Sequence, residues 1–318
     1  MGAMAESSRP FRAMGSDCVV RVVVDDDRAE PILDRVETRM RDLEQRWSRF
    51  IDNSELSQLN RHAGDPVFVS PEMFAVVALA IDAWKATDGL FDPTLLDVLR
   101  EIGYNDTFDE LADRDPFQAN ELGVPATELD SVVLDVRSSL IHAPLGLHFD
   151  LGGIGKGQAA DLLFAQVIED GVSGACLDLG GDIRVGGETV EGGGWAIVID
   201  DPFAPGVDLA VLGLEAGSVT TSSRLRRKWS TTTGEAHHLI DPKTAQPSRS
   251  GLASVTVIAA HAAWGEAHAK AALIAGAVAG RALLERAGLS GLLISDDGQL
   301  ITAGQFNDFV IEGPTLSS

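Results

Sequence analysis

The chain has 318 residues, 45% of them hydrophobic and 23% charged, enough to build one large domain or two modest ones around a full core. Its 48 acidic against 25 basic residues leave a net charge of −23, which excludes a general nucleic-acid partner, because phosphate backbones are held by clustered Lys and Arg. Cys18 and Cys176 lie far apart in apolar stretches, so neither a disulfide framework nor a metal cluster can be read from them.

The opening residues MGAMAESSRPF carry no apolar run of signal-peptide type, and no later run approaches a membrane span. The expectation is a soluble, cytoplasmic protein whose residues 1–12 are disordered or an expression scar. A strand is predicted over Cys18–Val24, then a helix with Ile32, Val36, Met40, Leu43 and Trp47 along one face. A second helix starts with Ser70 as N-cap, Pro71 in the first position and Glu72 in the first turn, and stops at Gly89. A third runs from Pro93 to about Ile102.

Residues 105–129, punctuated by Pro116 and Pro125, read as a surface excursion. From Ser131 strands dominate: SVVLDV, LIHA, HFDL, ACLDLGG, WAIVID, LEAGSVTT, HHLID and ASVTVIA. Two helices interrupt them, Gln158–Glu169 and an Ala-rich one from about Gly265 to Ala287. GLLISDDGQLITA closes the chain as a hairpin turning at Asp297-Gly298. Helices first and strands later argue for an α+β fold over a regular doubly wound sheet. The expected layout is a single domain over 13–318, helix-rich over 25–130 and strand-rich over 131–312.

The chemistry concentrates in HFDLGGIGKGQAAD, His148–Asp161, where Gly152, Gly153, Gly155 and Gly157 crowd around Lys156. A Walker A loop needs Gly five residues before Gly155 and Ser or Thr after Lys156, but Asp150 and Gly157 stand there. A dinucleotide fingerprint fits better: Gly155, Gly157 and Ala160 satisfy G-x-G-x-x-A, and Asp178 follows about 20 residues on, where an acid meets a ribose. That reading implies an NAD(P)-dependent, Rossmann-type dehydrogenase, although no regular βα alternation follows. A tight strand-to-helix turn without any ligand is the third alternative.

DLGGIGKGQAAD also resembles the D-L-G-G-I-[AG]-K-G-x-A-x-D signature of the ApbE family, the FAD:protein FMN transferases. MGSDCVV at Met14 is similar to the family's M-G-T opening, and WSRFIDNSELSQLNR at Trp47 to its S-x-[FY]-x-x-x-S-E-[IL]-S-x-L-N segment. GLFDPTL resembles G-x-F-D-P-T, LDLGGDI resembles v-N-L-G-G-D-I, and HHLIDPKTAQP resembles H-I-I-D-P-x-T-G-x-P. GLASVTVIA then follows at the expected distance. The blocks keep the family's order and span about Met14 to Gly276.

The resemblance implies an ApbE-like, T-fold-like architecture, with a helix-rich N-terminal part packed on a strand-rich remainder. It implies cleavage of FAD and attachment of FMN, through its phosphate, to a Ser or Thr of a target protein, with release of AMP. Met14, Phe50, Leu90, Phe91, Asp92, Asp150, Lys156 and the backbone near Ile240 would line the FAD site. The catalytic residues would be His238 as the base and Asp241, which would orient that site or begin the DP turn. An FAD-binding or FAD-hydrolysing relative without transfer is the alternative.

The family completes a magnesium site with A-D-A-x-x-T. Here the segment reads WGEAHAKAAL, so Glu266 replaces the Asp and Lys270 the Thr. Gly153 and Glu266 remain the expected Mg2+ contacts, but Lys has no acceptor atom. Lys270 thus forms an i,i+4 pair with Glu266 or takes the cation's place beside the diphosphate. Two further departures are Ala245 for the Gly of D-P-x-T-G, and the basic island Arg224, Arg226, Arg227, Lys228 where the family has T-S-G-[DN]-Y.

Overall fold

The structure is a computed structural model that describes residues 4–107, 129–204, 206–232 and 234–313. Most of the surface excursion expected over 105–129 lies outside the described residues. The chain forms two compact units, and neither is continuous in sequence: residues 1–43, 156–223 and 250–318 make the first, and residues 44–155 and 224–249 the second. Each unit draws on both the stretch expected to be helix-rich, 25–130, and the stretch expected to be strand-rich, 131–312. Alternating pattern identifies strands and helices but not which of them share a core.

The first unit is built on an eight-stranded sheet. Its strands run in the order Met4–Ala13, Ser16–Asp25, Gly174–Leu179, Asp182–Gly187, Ala216–Ser223, Leu252–Ala259, Ser290–Ser295 and Leu300–Ala303. Every neighbouring pair is antiparallel. This excludes the Rossmann reading, which requires parallel strands joined by crossover helices.

Of the residues expected to be disordered or an expression scar, 4–12 lie in the strand Met4–Ala13, which forms a full ladder with Ser16–Asp25. Met14 (φ 49°) and Gly15 (φ 63°) make the two-residue turn, whose left-handed backbone matches the twist of the flanking strands. Arg9 fastens the first strand to the helix Asp26–Trp47 through Asp34 and through Glu30 at 2.5 Å.

One face of the sheet carries the helix Ala262–Ala275, which packs on the strands Ala216–Ser223 and Leu252–Ala259. Its Ala-rich sequence keeps side chains small enough for close approach. The single helix expected to Ala287 breaks at Gly276, whose φ of 83° only glycine adopts readily, and a second helix covers Ala277–Arg286. A three-stranded sheet, Val310–Glu312, Asp208–Leu214 and Trp195–Asp200, turns Trp195, Ile197 and Ile199 into a core with Val185, Val219, Leu292 and Phe306. The terminal hairpin turns at Asp297-Gly298 as expected, with Ser295 N–H donating to the Gln299 carbonyl at 3.0 Å.

In the second unit the helix Pro71–Ala86 starts as read, with the Ser70 hydroxyl accepting from Met73 N–H at 3.2 Å. The third expected helix is shorter, Leu96–Glu101, because Asp92 holds the residues after Pro93 in a turn by accepting from Thr94 N–H at 2.8 Å. HFDL is not a strand. Asn60 supplies the pairing a neighbouring strand would have given: its Oδ1 accepts from Phe149 N–H (2.7 Å) and its Nδ2 donates to the Phe149 carbonyl (2.8 Å). This leaves Asp150–Ile154 free to follow the glycine turn into the helix Gly155–Glu169.

Candidate functional site

The helix Gly155–Glu169 begins three residues earlier than expected, so Lys156 lies in its first turn. Gly157 has no room for a side chain, because a Cβ there would sit 2.6 Å from the Ala262 carbonyl carbon and oxygen. The start of the helix Ala262–Ala275 therefore lies directly on that turn. Asp161, the last residue of the glycine motif, locks the contact: its two oxygens accept from Ala262 N–H (3.0 Å) and Ala263 N–H (3.1 Å), donors that a helix start leaves unpaired. Arg184 holds the same carboxylate at 3.1 Å.

This clamp brings Glu266 to Lys156. The Lys156 ammonium donates to Glu266 Oε1 at 3.1 Å and to Asp182 Oδ2, while Gly157 N–H donates to Glu266 Oε2 at 2.9 Å. Asp182 is 2% and Glu266 5% exposed. Burial, and then the Glu266 charge, push the Asp182 carboxyl up to about 7, while Lys156 and Lys270 pull it down. Lys270, half-buried, follows Glu266 by one helical turn. The result is a pair of carboxylates around the Lys156 ammonium, with the Lys270 charge acting on Asp182.

A divalent cation does not suit these donors. Magnesium asks for oxygen ligands in near-ideal octahedral geometry, but each Glu266 oxygen already accepts from the protein, one of them from an ammonium. The side chain one turn on, Lys270, offers no acceptor. Among the described residues no three His, Cys, Asp or Glu side chains are grouped to hold a metal. At Glu266, the expected Mg2+ contact, the carboxylate accepts from Lys156 and from Gly157 N–H. Gly153, the other expected contact, is a buried glycine in the turn before the helix.

In the second unit Phe50 and Asp150 meet through a residue the sequence did not single out. Arg49, with its side chain 6% exposed, lays its guanidinium 4.2 Å from the Phe50 ring centroid and 4.5 Å from that of Tyr104. Its Nη1 donates to the Tyr104 carbonyl at 2.9 Å, and its Nε lies 3.5 Å from Asp150. Tyr104 continues the row to Trp229, centroids 5.3 Å apart. Phe50 is the exposed end at 37%. Asp150 also accepts from Gly152 N–H at 2.7 Å, which shapes the turn ahead of Lys156.

The remaining expected residues divide by burial. Phe91 is 1% exposed, a core ring, whereas Leu90 and Asp92 are half-buried. Met14 is half-buried at the tip of the first hairpin. Ile240 is 2% exposed, which leaves its backbone as the part available to a ligand. The two adjacent histidines differ. His237 is buried with both nitrogens in use, Nε2 donating to the Ser248 carbonyl (3.0 Å) and Nδ1 accepting from Leu239 N–H (3.3 Å). His238 is half-buried in the bend after the strand Gly234–His237, where the strand expected over HHLID is interrupted.

Asp241 accepts from Lys243 N–H at 2.9 Å and opens a turn that leaves Ala245 left-handed, φ 54°. That is where the family motif has Gly. Of the basic island, Lys228 pairs with Glu235 at 3.1 Å.

Asp161, Asp182, Arg49 and Tyr104 were not read from sequence as site residues. Asp161 and Asp182 stand inside quoted glycine-containing motifs, which was the available signal. Arg49 gave none, because its partner Tyr104 is 55 residues away.

Comparison with known proteins is consistent across the chain. It is 30% identical over 313 residues to the FAD:protein FMN transferase of Treponema pallidum, covering 92% of this chain and 85% of the relative. It is 28% identical over 246 residues to that of Haemophilus influenzae, covering 73% and 68%. The solved ApbE protein of Thermotoga maritima superposes with a TM-score of 0.83 at 25% identity, covering 97% of this chain and all of the other. The flavin transferase ApbE of Vibrio cholerae, 20% identical, shares the fold with a TM-score of 0.81, covering 96% and 99%. The family model described as the ApbE family matches residues 14–293, and the chain belongs to that family.

Proposed function

We propose that the chain is an FAD:protein FMN transferase, which breaks the FAD diphosphate and joins FMN through its phosphate to a Ser or Thr of a target protein, releasing AMP. The observation that carries this reading is the set of buried lysine contacts at the glycine turn, found within a family match over residues 14–293. In a chain of net charge −23, a diphosphate needs such a local concentration of cations.

Phosphoryl transfer of this kind needs positioning, neutralisation of the diphosphate and a base for the attacking hydroxyl. Lys156 and Lys270 supply the positive charge. His238 takes the acceptor hydroxyl's proton as the oxygen attacks the FMN phosphorus; the bond from that phosphorus to the AMP oxygen breaks, and AMP leaves. His237 does not serve, because both its ring nitrogens hold the local fold. Asp241 shapes the turn that follows His238. Phe50, Leu90, Asp92, Asp150, Met14 and the Ile240 backbone contact FAD. The reading does not rely on Mg2+.

The test is co-expression with a candidate acceptor protein, followed by intact and peptide mass spectrometry. The expected product is a Ser or Thr carrying the mass of FMN less one water. Free FMN and AMP with an unmodified acceptor would instead identify an FAD hydrolase, and absence of FAD turnover would overturn both.

A further inference from the structure

We infer that this chain carries the countercharge for the diphosphate in its own side chains, with the Lys270 ammonium standing where a divalent cation would bind, so that FAD is held without Mg2+. The inference rests on the functional reading above for its ligand, but its geometry is independent of it.

Four observations support it. Glu266, 5% exposed, gives both oxygens to protein donors, Lys156 Nζ at 3.1 Å and Gly157 N–H at 2.9 Å. Asp182, 2% exposed, is engaged by the same ammonium. Lys270 lies one turn beyond Glu266, and its charge acts on Asp182. A further double positive charge would face the Lys156 and Lys270 ammonium groups in a setting that water screens poorly. The Gly157 contact with Ala262 fixes the spacing, since neither helix start can withdraw to enlarge the space without losing the Asp161 bonds.

An ammonium also differs from magnesium in what it does to an anion. It neutralises charge and donates hydrogen bonds, but it does not impose octahedral coordination. Binding that depends on Lys270 should therefore be indifferent to chelators and sensitive to salt.

The experiment uses the native 318-residue chain and two probes. Mn2+, a paramagnetic substitute for Mg2+, is titrated in without FAD and followed by EPR; no stoichiometric uptake is expected up to about 1 mM. FAD binding, followed by flavin fluorescence, is expected to agree within about two-fold between EDTA and excess Mg2+.

The double variant Glu266→Asp with Lys270→Thr supplies oxygen ligands and removes the ammonium. Shown to be folded by circular dichroism, it is expected to take up Mn2+. In EDTA its FAD affinity should fall by roughly ten-fold or more, and Mg2+ should restore it. One tightly held Mn2+ per native chain, or native FAD binding that requires Mg2+, overturns the inference alone. A native chain that binds no FAD under any condition overturns the functional reading together with it.

Discussion

The Lys156 ammonium lies 3.1 Å from the Glu266 carboxylate, 110 residues further along the chain, with the two side chains 15% and 6% exposed. Removing Glu266 takes a carboxylate from Lys156, which keeps Asp182, and leaves the buried Gly157 N–H without its acceptor. Glu266→Ala should therefore lose about 3–5 kcal/mol of stability in urea unfolding at pH 7, with Glu266→Gln losing less because its amide oxygen still accepts from a donor. A loss under about 1 kcal/mol for the Ala variant would show that the group is solvated in solution.

Gly157 tests the clamp from the backbone side. A Cβ at this position meets the Ala262 backbone at 2.6 Å, and backbone cannot swing aside as a side-chain tip does. Gly157→Ala is expected to cost about 1–3 kcal/mol and to weaken FAD binding, because it displaces Glu266 from Lys156. Differential scanning calorimetry with a parallel FAD titration checks it; an unchanged Tm and affinity would mean that the helix start yields freely.

Thr220 makes the opposite prediction. It is fully buried in the strand Ala216–Ser223, opposite Asp182 in the ladder, and its hydroxyl has no hydrogen-bond partner among the described residues. Thr220→Val exchanges that hydroxyl for a methyl of nearly the same shape. Stability should hold or rise by about 1 kcal/mol, since an unmade buried hydrogen bond is lost with it. A clear fall in Tm would reveal a partner recruited in solution.

His237 gives the chain a pH dependence whose sign can be worked out. Burial lowers its pKa below the usual 6.5, and Arg224 and Lys228 push the same way, while the Ser248 carbonyl and Glu235 oppose them. The unfolded chain thus binds a proton more readily than the folded one. The stabilising contribution is complete above about pH 6.5 and is lost as pH falls toward the depressed folded value. His237→Asn should flatten this part of the stability-against-pH curve measured by urea unfolding. An unaltered slope would rule His237 out as its source.

Arg49 links two aromatic neighbours, Phe50 and Tyr104, to one carbonyl. Arg49→Lys keeps the charge but loses the flat stack on Phe50 and Tyr104 and the geometry of the bond to the Tyr104 carbonyl. The expected cost is about 1.5–3 kcal/mol, with a change in the near-ultraviolet circular dichroism of the Tyr104–Trp229 pair. A spectrum and stability matching the native chain would show that lysine reproduces the contact.

The sequence by itself determined the α+β class, most strands, the capped helix after Ser70 and the position of the glycine turn, because these depend on local pattern: alternation, helical spacing, caps and turn residues. It also placed Lys156 and Glu266 in ordered family blocks. Local pattern failed where a distant side chain replaced a local partner, as Asn60 does for HFDL, or where one glycine torsion ended a helix, as at Gly276.

Only the tertiary structure decided that Glu266 is a partner of Lys156, that Asp182 completes the set, that Asp161 clamps two helices, and that Arg49 joins Phe50 to Asp150. The reason is physical: the energy of a buried charge depends on what lies within a few ångströms of it, and the residues that supply those neighbours here are 26 and 110 positions from Lys156.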